Sequence, residues 1–256
     1  MNKPASLSAH AHSAKVIVCR DAAAASRTVA NMIVAAVNAK PSIVLGLATG
    51  GTPTATYANI VEDFRAGKVQ FKDVTSFNLD EYIGLSGTHP QSFRYFMQSE
   101  LFDHIDIDPN NTFVPEGGAS DPASHAIQYE AQIAAAGGID LQLLGIGHNG
   151  HIAFNEPGSL PSTRTRVVEL TPSTIEKNAR FFASVDEVPK TAITMGIGTI
   201  LEAKQILLLA TGKGKAEAVR RSLQEAASEE VPASWLEQHP DVTFVLDEDA
   251  ASELSL

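Results

Sequence analysis

The chain has 256 residues, 44% of them apolar, and a formal net charge of −11 with Lys and Arg scattered along its length. That size and apolar content fit one ordinary α/β domain with a sizeable core, and the unclustered acidic charge excludes the electrostatic footprint of a nucleic-acid binder or an anionic-membrane binder. No apolar run reaches the ~18 residues that cross a bilayer, so no membrane is expected among the partners.

Residues 1–13 (MNKPASLSAHAHS) hold no apolar h-region and read as a frayed tail rather than a secretory signal. No Pro/Ser-rich or charged linker interrupts the remainder of the chain, and residues 14–256 are expected to form a single domain. Lys15–Cys19 predicts a short buried strand with Cys19 in the core. One cysteine allows no intrachain disulfide and fits a reducing cytoplasm. Ala22–Asn38 has the apolar spacing of an amphipathic helix, Ser42–Ala48 is a continuous apolar strand, and Thr54–Ala66 is again helical. Val74–Leu79 predicts a third strand, then a loop (DEYIGLSGTHP) and a helix over Gln91–Phe102. Leu141–Ile146, Val167–Leu170, Thr191–Met195, Gln205–Ala210 and Val242–Leu246 complete the strands, with helical pattern between Gly214 and Ala227. Strands this apolar are buried on both faces. The expected fold class is therefore α/β, a single-domain, doubly wound, parallel-dominated sheet with helices on both faces (Rossmann-like), with ligand loops at the carboxyl ends of the strands.

An acidic chain that binds an anion must do so through a local array of N–H groups and a few cations. Thr49-Gly50-Gly51-Thr52-Pro53 follows a strand and opens a helix, so its backbone N–H groups can converge on a phosphate with the helix dipole behind them; a plain tight turn is the alternative. The Gly-Lys-Ser/Thr ending of a P-loop is missing. Arg180, and Lys215 with Lys213 at another strand-to-helix turn, are candidate cations, although isolated basic residues at such places are commonly solvated.

Asp80 and Glu81 place adjacent carboxylates at the end of a buried strand, where a helix cap is the structural alternative to chemistry. The segment from Gly145 to Gly158 (GIGHNGHIAFNEPG) is richer. It sets His148, His151, Asn149, Asn155 and Glu156 beside apolar Ile152, Ala153 and Phe154, an environment that shifts pKa values around a group already poised near neutrality. A metal site at His148 and His151 would need further ligands, which the single distant cysteine and the missing HExxH pattern do not supply, so no metal is expected.

In this order and spacing LGLATGGTPTATY, SFNLDEYIGL, LLGIGHNGHIAFNEPGS, NARFF, VPKTAITMGIGTIL and TGKGKAEAV resemble the glucosamine-6-phosphate deaminases, from Val44 to about Val245. The related 6-phosphogluconolactonases share the early glycine loop, but the FNEP and FNxDEY segments are similar to the deaminases. The resemblance implies conversion of glucosamine 6-phosphate and water into fructose 6-phosphate and ammonia, without a cofactor, by a monomer or a homo-oligomer. It implies Asp80 as base for the C2 proton, His151 as ring-opening acid/base, Glu156 as its assisting carboxylate, and a phosphate set drawn from Thr49, Gly50, Gly51, Thr52, Arg180 and Lys215. Many members carry Asp where this chain has Asn149, which is expected to accept an N–H from His151 and fix its tautomer. Residues 162–189, which include Arg180, are expected to form a lid. A lactonase and a non-catalytic sugar-phosphate sensor are the rival readings; the sensor lacks support because no basic helix-turn-helix segment is present.

In allosteric members of the family a basic pair around the TRTR segment and a longer C-terminal tail bind N-acetylglucosamine 6-phosphate. Here Arg166 is followed by Val167 and Val168, and the sequence ends at Leu256. Adding that effector is expected to leave the half-saturating substrate concentration unchanged in steady-state assays; a marked fall would refute the expectation.

Overall fold

The computed structural model describes residues 14–182 and 184–255; the tail expected at 1–13 lies outside the described residues. In chain order the elements are β1 (Lys15–Cys19), α1 (Ala22–Ala39), β2 (Val44–Leu47), α2 (Thr54–Arg65), β3 (Thr75–Asn78), β4 (Asp80–Tyr82), α3 (Phe93–Glu100), β5 (Thr112–Phe113), α4 (Pro122–Ala135), β6 (Leu141–Leu144), β7 (Arg166–Glu169), α5 (Pro172–Asn178), β8 (Thr191–Thr194), α6 (Ile197–Leu201), β9 (Gln205–Ala210), α7 (Ala216–Gln224) and β10 (Val242–Asp247).

Seven strands form one parallel sheet in the order β1-β10-β9-β6-β2-β3-β5. From β2 the chain steps outward through β3 and β5, returns to the other flank of β2 as β6, and steps outward again through β9 and β10. The winding reverses between β2 and β6. Every residue of β2, β6 and β10 is buried, and since successive side chains point to opposite faces, both faces of the sheet's middle are covered. The doubly wound α/β expectation holds.

Three expectations need correction. The strand at Lys15–Cys19 forms but is not buried: it is an edge strand, Ile17 and Val18 are exposed, and Cys19 is half-buried with its Sγ 3.5 Å from Thr28 Oγ1. An edge strand has a neighbour on one side only, so its apolar side chains are incompletely covered. Part of the loop expected after Leu79 is instead strand β4, which joins β8 and β7 in a small antiparallel sheet. A helix absent from the expectations, α4, begins at Pro122 behind a side-chain cap: Asp121 accepts the Ser124 N–H, as Asp21 accepts that of Ala24 at the start of α1.

Close packing in the sheet centre shows at Gly46. The side chain of Gln142, from the neighbouring strand, crosses over it, and a Cβ on Gly46 would lie 2.1 Å from Gln142 Oε1. Gly46→Ala is therefore expected to destabilise the fold by about 1–3 kcal/mol through overpacking, read as a fall in Tm. Adding Gln142→Ala should recover most of the loss, because it removes the obstructing amide.

Candidate active site

The loops leaving β2 and β6 follow the two strands between which the winding reverses, the place where open α/β sheets bind ligands. Thr49, Gly50, Gly51 and Thr52 lie there after β2. Gly50 takes φ 103°, a left-handed backbone that favours glycine, and no atom stands within 4 Å of the position a Cβ would take on Gly50 or on Gly51. The first full turn of α2 follows at Thr54, and Tyr57 Oη anchors the loop by donating to Ala48 O at 2.5 Å. The Thr49 side chain reaches Asp80.

Asp80 and Glu81 are adjacent in β4, so their side chains leave on opposite faces. Glu81 supplements the Ser92 cap of α3. Its Oε1 accepts the N–H of Tyr82 and of Phe93 and its Oε2 that of Arg94, each at 2.9 Å, fastening β4 to the first turn of α3. Asp80, 6% exposed, is turned to Thr49 instead. Burial, reinforced by the neighbouring Glu81 and opposed by the Thr49 hydrogen bond, pushes the Asp80 carboxyl up to about 8.

The loop after β6 is shaped around one imidazole. A Cβ on Gly147 would stand 2.3 Å from His151 Cε1, so the missing side chain makes room for this ring; the loop closes through Gly147 N–H to His151 O at 2.8 Å. Ala153 takes φ 51°, alone among the described non-glycine residues in the left-handed region, and marks strain in the tight bend between Ile152 and Asn155. Asn155, fully buried, holds that bend: its Nδ2 donates to Ile152 O and Met195 O, and its Oδ1 accepts from Arg166 Nη1 at 2.9 Å.

His151 Nδ1 lies 3.5 Å from Glu156 Oε2, an ion-pair distance longer than a good hydrogen bond. Such contacts tighten when substrate arrives. Asn149 Nδ2 donates to the same Oε2 at 2.8 Å, and Thr174 Oγ1 donates to Oε1 at 2.5 Å. Burial alone would raise the Glu156 carboxyl, but His151, Thr174 and Asn149 together outweigh it and hold it down at about 2. Asn149 accepts an N–H from His151, and it is the backbone one, at 3.3 Å on its Oδ1, while the ring Nδ1 lies 3.5 Å from Glu156.

Thr194 joins the two halves. In β8 it stands opposite both Asp80 of β4 and Arg166 of β7, and its Oγ1 accepts the Phe154 N–H at 3.1 Å. The buried carboxylate and the His151 loop are therefore built onto one residue, at the ends of strands β3 and β6 that flank β2. Parallel neighbours are ~4.8 Å apart, so β3 and β6 lie about 10 Å from one another.

Lys215 closes the short turn Lys213–Lys215 after β9, the strand next to β6. Asp247, at the end of β10, fixes that turn by accepting the Gly212 N–H on both carboxylate oxygens at 3.0 Å. Arg180 sits in the turn Ala179–Phe181 after α5. His148 is exposed, with its ring 6.5 Å from that of His151. A further segment, unremarked in the sequence, grips the His151 loop: Ala233 N–H donates to Gly150 O, Gly158 N–H to Glu229 O, and Trp235 Nε1 to Ser159 O. Thr174, Thr194 and Asp247 also carry no signal in the sequence pattern; only Thr171-Pro172, a cap followed by proline, marks that a helix begins beside Thr174. Among the described residues no group of three or more His, Cys, Asp or Glu could hold a metal ion, and no helix is long and apolar enough to cross a membrane.

The chain is a doubly wound α/β protein that carries a His–Glu pair at its switch point and a buried carboxylate one strand to the side. Residues 20–245 match the family described as glucosamine-6-phosphate isomerases/6-phosphogluconolactonase. The chain is 56% identical over 241 residues to a glucosamine-6-phosphate deaminase of Shewanella loihica, covering 94% of this chain and 90% of the relative. It is 55% identical over 240 residues to the deaminase of Rhodopirellula baltica, covering 94% and 96%. A solved monomeric glucosamine-6-phosphate deaminase superposes with a TM-score of 0.92 at 47% identity, covering 94% of this chain and all of that one. The 6-phosphogluconolactonase of Trypanosoma cruzi, at TM-score 0.78 and 23% identity over 95% of this chain and 97% of that one, shares the fold. The chain belongs to the glucosamine-6-phosphate isomerase/6-phosphogluconolactonase family.

Because the Asp80 carboxyl stays protonated below about 8, its base form grows as pH rises towards that value. A proton abstraction by Asp80 is thus expected to give a kcat/KM that climbs with pH to a midpoint near 8. Thr49→Val, which removes the one hydrogen bond favouring the carboxylate, should move the midpoint to higher pH; a profile flat between pH 6 and 9, or one unmoved by the substitution, would count against Asp80 as the base.

Proposed function

We infer that this chain is a glucosamine-6-phosphate deaminase, an enzyme of amino-sugar catabolism that turns glucosamine 6-phosphate and water into fructose 6-phosphate and ammonia. High identity to named deaminases over nearly the whole chain supports the reaction. The observation that supports the residue roles is the anchoring on Thr194 of both a buried raised-pKa carboxyl and the loop whose histidine stands 3.5 Å from Glu156.

His151 moves the proton between O5 and the anomeric hydroxyl as the pyranose opens. The low-lying Glu156 carboxylate stabilises the imidazolium that forms, and Asn149 keeps the carboxylate turned towards the ring. The exposed aldehyde acidifies C2–H, and Asp80 removes this proton to give a cis-enolamine. A carboxyl that favours its neutral form in the free site is aided here by the substrate, whose C2 ammonium brings a positive charge beside it. Asp80 then returns the proton to C1, water adds at C2, and the resulting carbinolamine expels ammonia. Atoms balance without an oxidant or a metal.

The phosphoryl group is held by the Gly50–Thr52 turn at the start of α2, Lys215 and Arg180. Remote binding of this kind orients the reacting end. Thr49, as the partner of Asp80, serves the base as much as the phosphate. The lid proposed over 162–189 is narrowed by the fold. Its stretch Arg166–Glu169 is paired with β8 and Arg164 is tied to Glu130 and Glu202, so movement over the site belongs to the part from Thr171 onward. Action in the cytoplasm fits the single free cysteine, and likeness to a deaminase described as monomeric supports action by one chain.

The test is ammonia release by purified protein from glucosamine 6-phosphate, with and without chelator, beside glucosamine lacking the phosphate. Turnover should require the phosphate and survive chelation. Asp80→Asn should abolish deamination by at least about 1000-fold, in the range general acid–base catalysis supplies, with the fold retained by circular dichroism. Hydrolysis of 6-phosphogluconolactone with no ammonia from the amino sugar would overturn the reading.

A further inference from the structure

Helix α5 is fastened at both ends to groups beside the reacting centre. At its start Thr171 Oγ1 caps the helix by accepting the Thr174 N–H, while the Thr174 hydroxyl donates to Glu156 Oε1 at 2.5 Å and that of Thr171 approaches the same oxygen at 3.5 Å. At its end Asn178 Nδ2 donates to Tyr82 Oη at 2.8 Å, and the Phe182 ring stands edge-on to that of Tyr82 at 6.0 Å. Tyr82, Phe154, Leu170 and Ala192, with Phe182 and Ile175 packed against them, form a second small core separate from the main one. Arg180 follows the helix in the turn Ala179–Phe181, between Asn178 and Phe182 of the second fastening, and is exposed.

The two oxygens of Glu156 are divided between two parties. Oε1 belongs to α5 through Thr174, and Oε2 belongs to the catalytic loop through Asn149 and His151. A carboxylate held at both oxygens keeps Oε2 towards the imidazole; one whose Oε1 is released is held by Asn149 alone and is less firmly fixed about its last bond. The position of α5 therefore bears directly on the His151–Glu156 pair.

We propose that Thr174 is a positioning residue that couples the seating of the Arg180 turn on the substrate's phosphoryl group to the alignment of Glu156 with His151. The proposal rests on the deaminase reading and adds to it. Phosphate drawn in by Arg180 holds α5 down, Thr174 holds Glu156, and Glu156 is ready for the imidazolium. Binding energy at the unreactive end of the sugar then appears in kcat as well as in KM.

The experiment is a double-mutant cycle of Thr174→Val and Arg180→Lys, with kcat and KM measured on glucosamine 6-phosphate and Tm on each protein. Valine keeps the shape of threonine and removes its donor. Loss of a hydrogen bond to a charged group should lower kcat by about 10-fold in Thr174→Val, with Thr174→Ser recovering most of the loss. The decisive result is coupling: the fall in kcat caused by Arg180→Lys should be several-fold smaller in the Thr174→Val background than in the wild type. Effects that simply multiply, or a Thr174→Val protein with lowered Tm but wild-type kcat and KM, would overturn the proposal and leave the deaminase reading standing. A wild-type protein that releases no ammonia would remove that reading, and this inference with it.

Discussion

Two neighbouring parallel strands, β2 and β6, send the chain in opposite directions from their carboxyl ends, and the loops that follow them carry most of the candidate site. Loops that part company in this way are where open α/β sheets bind their ligands. The Thr49–Thr52 turn follows the first strand and the His151 loop the second. Asp80 arrives one strand to the side, and Lys215 one strand to the other. The small antiparallel sheet supplies what the large one lacks: a rigid backing, through Thr194, for the loop that carries the histidine.

Environment then assigns opposite characters to chemically similar groups. Asp80 and Glu156 are both largely shielded from water, yet the first rises to about 8 and the second falls to about 2. The difference lies in company. Asp80 has a single hydroxyl and an adjacent like charge; Glu156 has an amide donor, a hydroxyl donor and an imidazole. Pairs of carboxyl groups whose environments push their pKa values apart in this way are suited to different proton-transfer tasks at the same pH. Glu81 shows the third fate of a buried carboxylate, saturation by three backbone N–H groups, and with it a structural task.

Much of this was legible in the residues. Gln205–Ala210 and the other continuous apolar runs announce central strands because both faces are covered, and the glycine-rich stretch around His151 announces close backbone contacts. What the glycines accommodate was not legible: Gly147 makes room for a side chain of the protein itself. Asp121-Pro122 is a readable helix start that the apolar pattern alone passes over, since α4 buries few residues. β4 is only three residues long, too short for alternation to show, and its partner β8 lies more than a hundred residues away. Thr174 and Thr194 are invisible for a similar reason. A threonine's spacing to Glu156 or Phe154 along the chain says nothing of contacts that exist only after two sheets have formed. The buried setting expected for Cys19 fails because composition does not tell an edge strand from a central one.

Trp235 donates its indole N–H to Ser159 O, at the downstream end of the catalytic loop, and it is the protein's sole tryptophan. Nearly all red-edge fluorescence of the molecule thus originates beside that loop, from a chromophore whose emission colour depends on the polarity and hydrogen bonding around its ring nitrogen. The protein carries a built-in optical gauge of whether its working loop is in place, with no dye to attach and no competing signal to subtract.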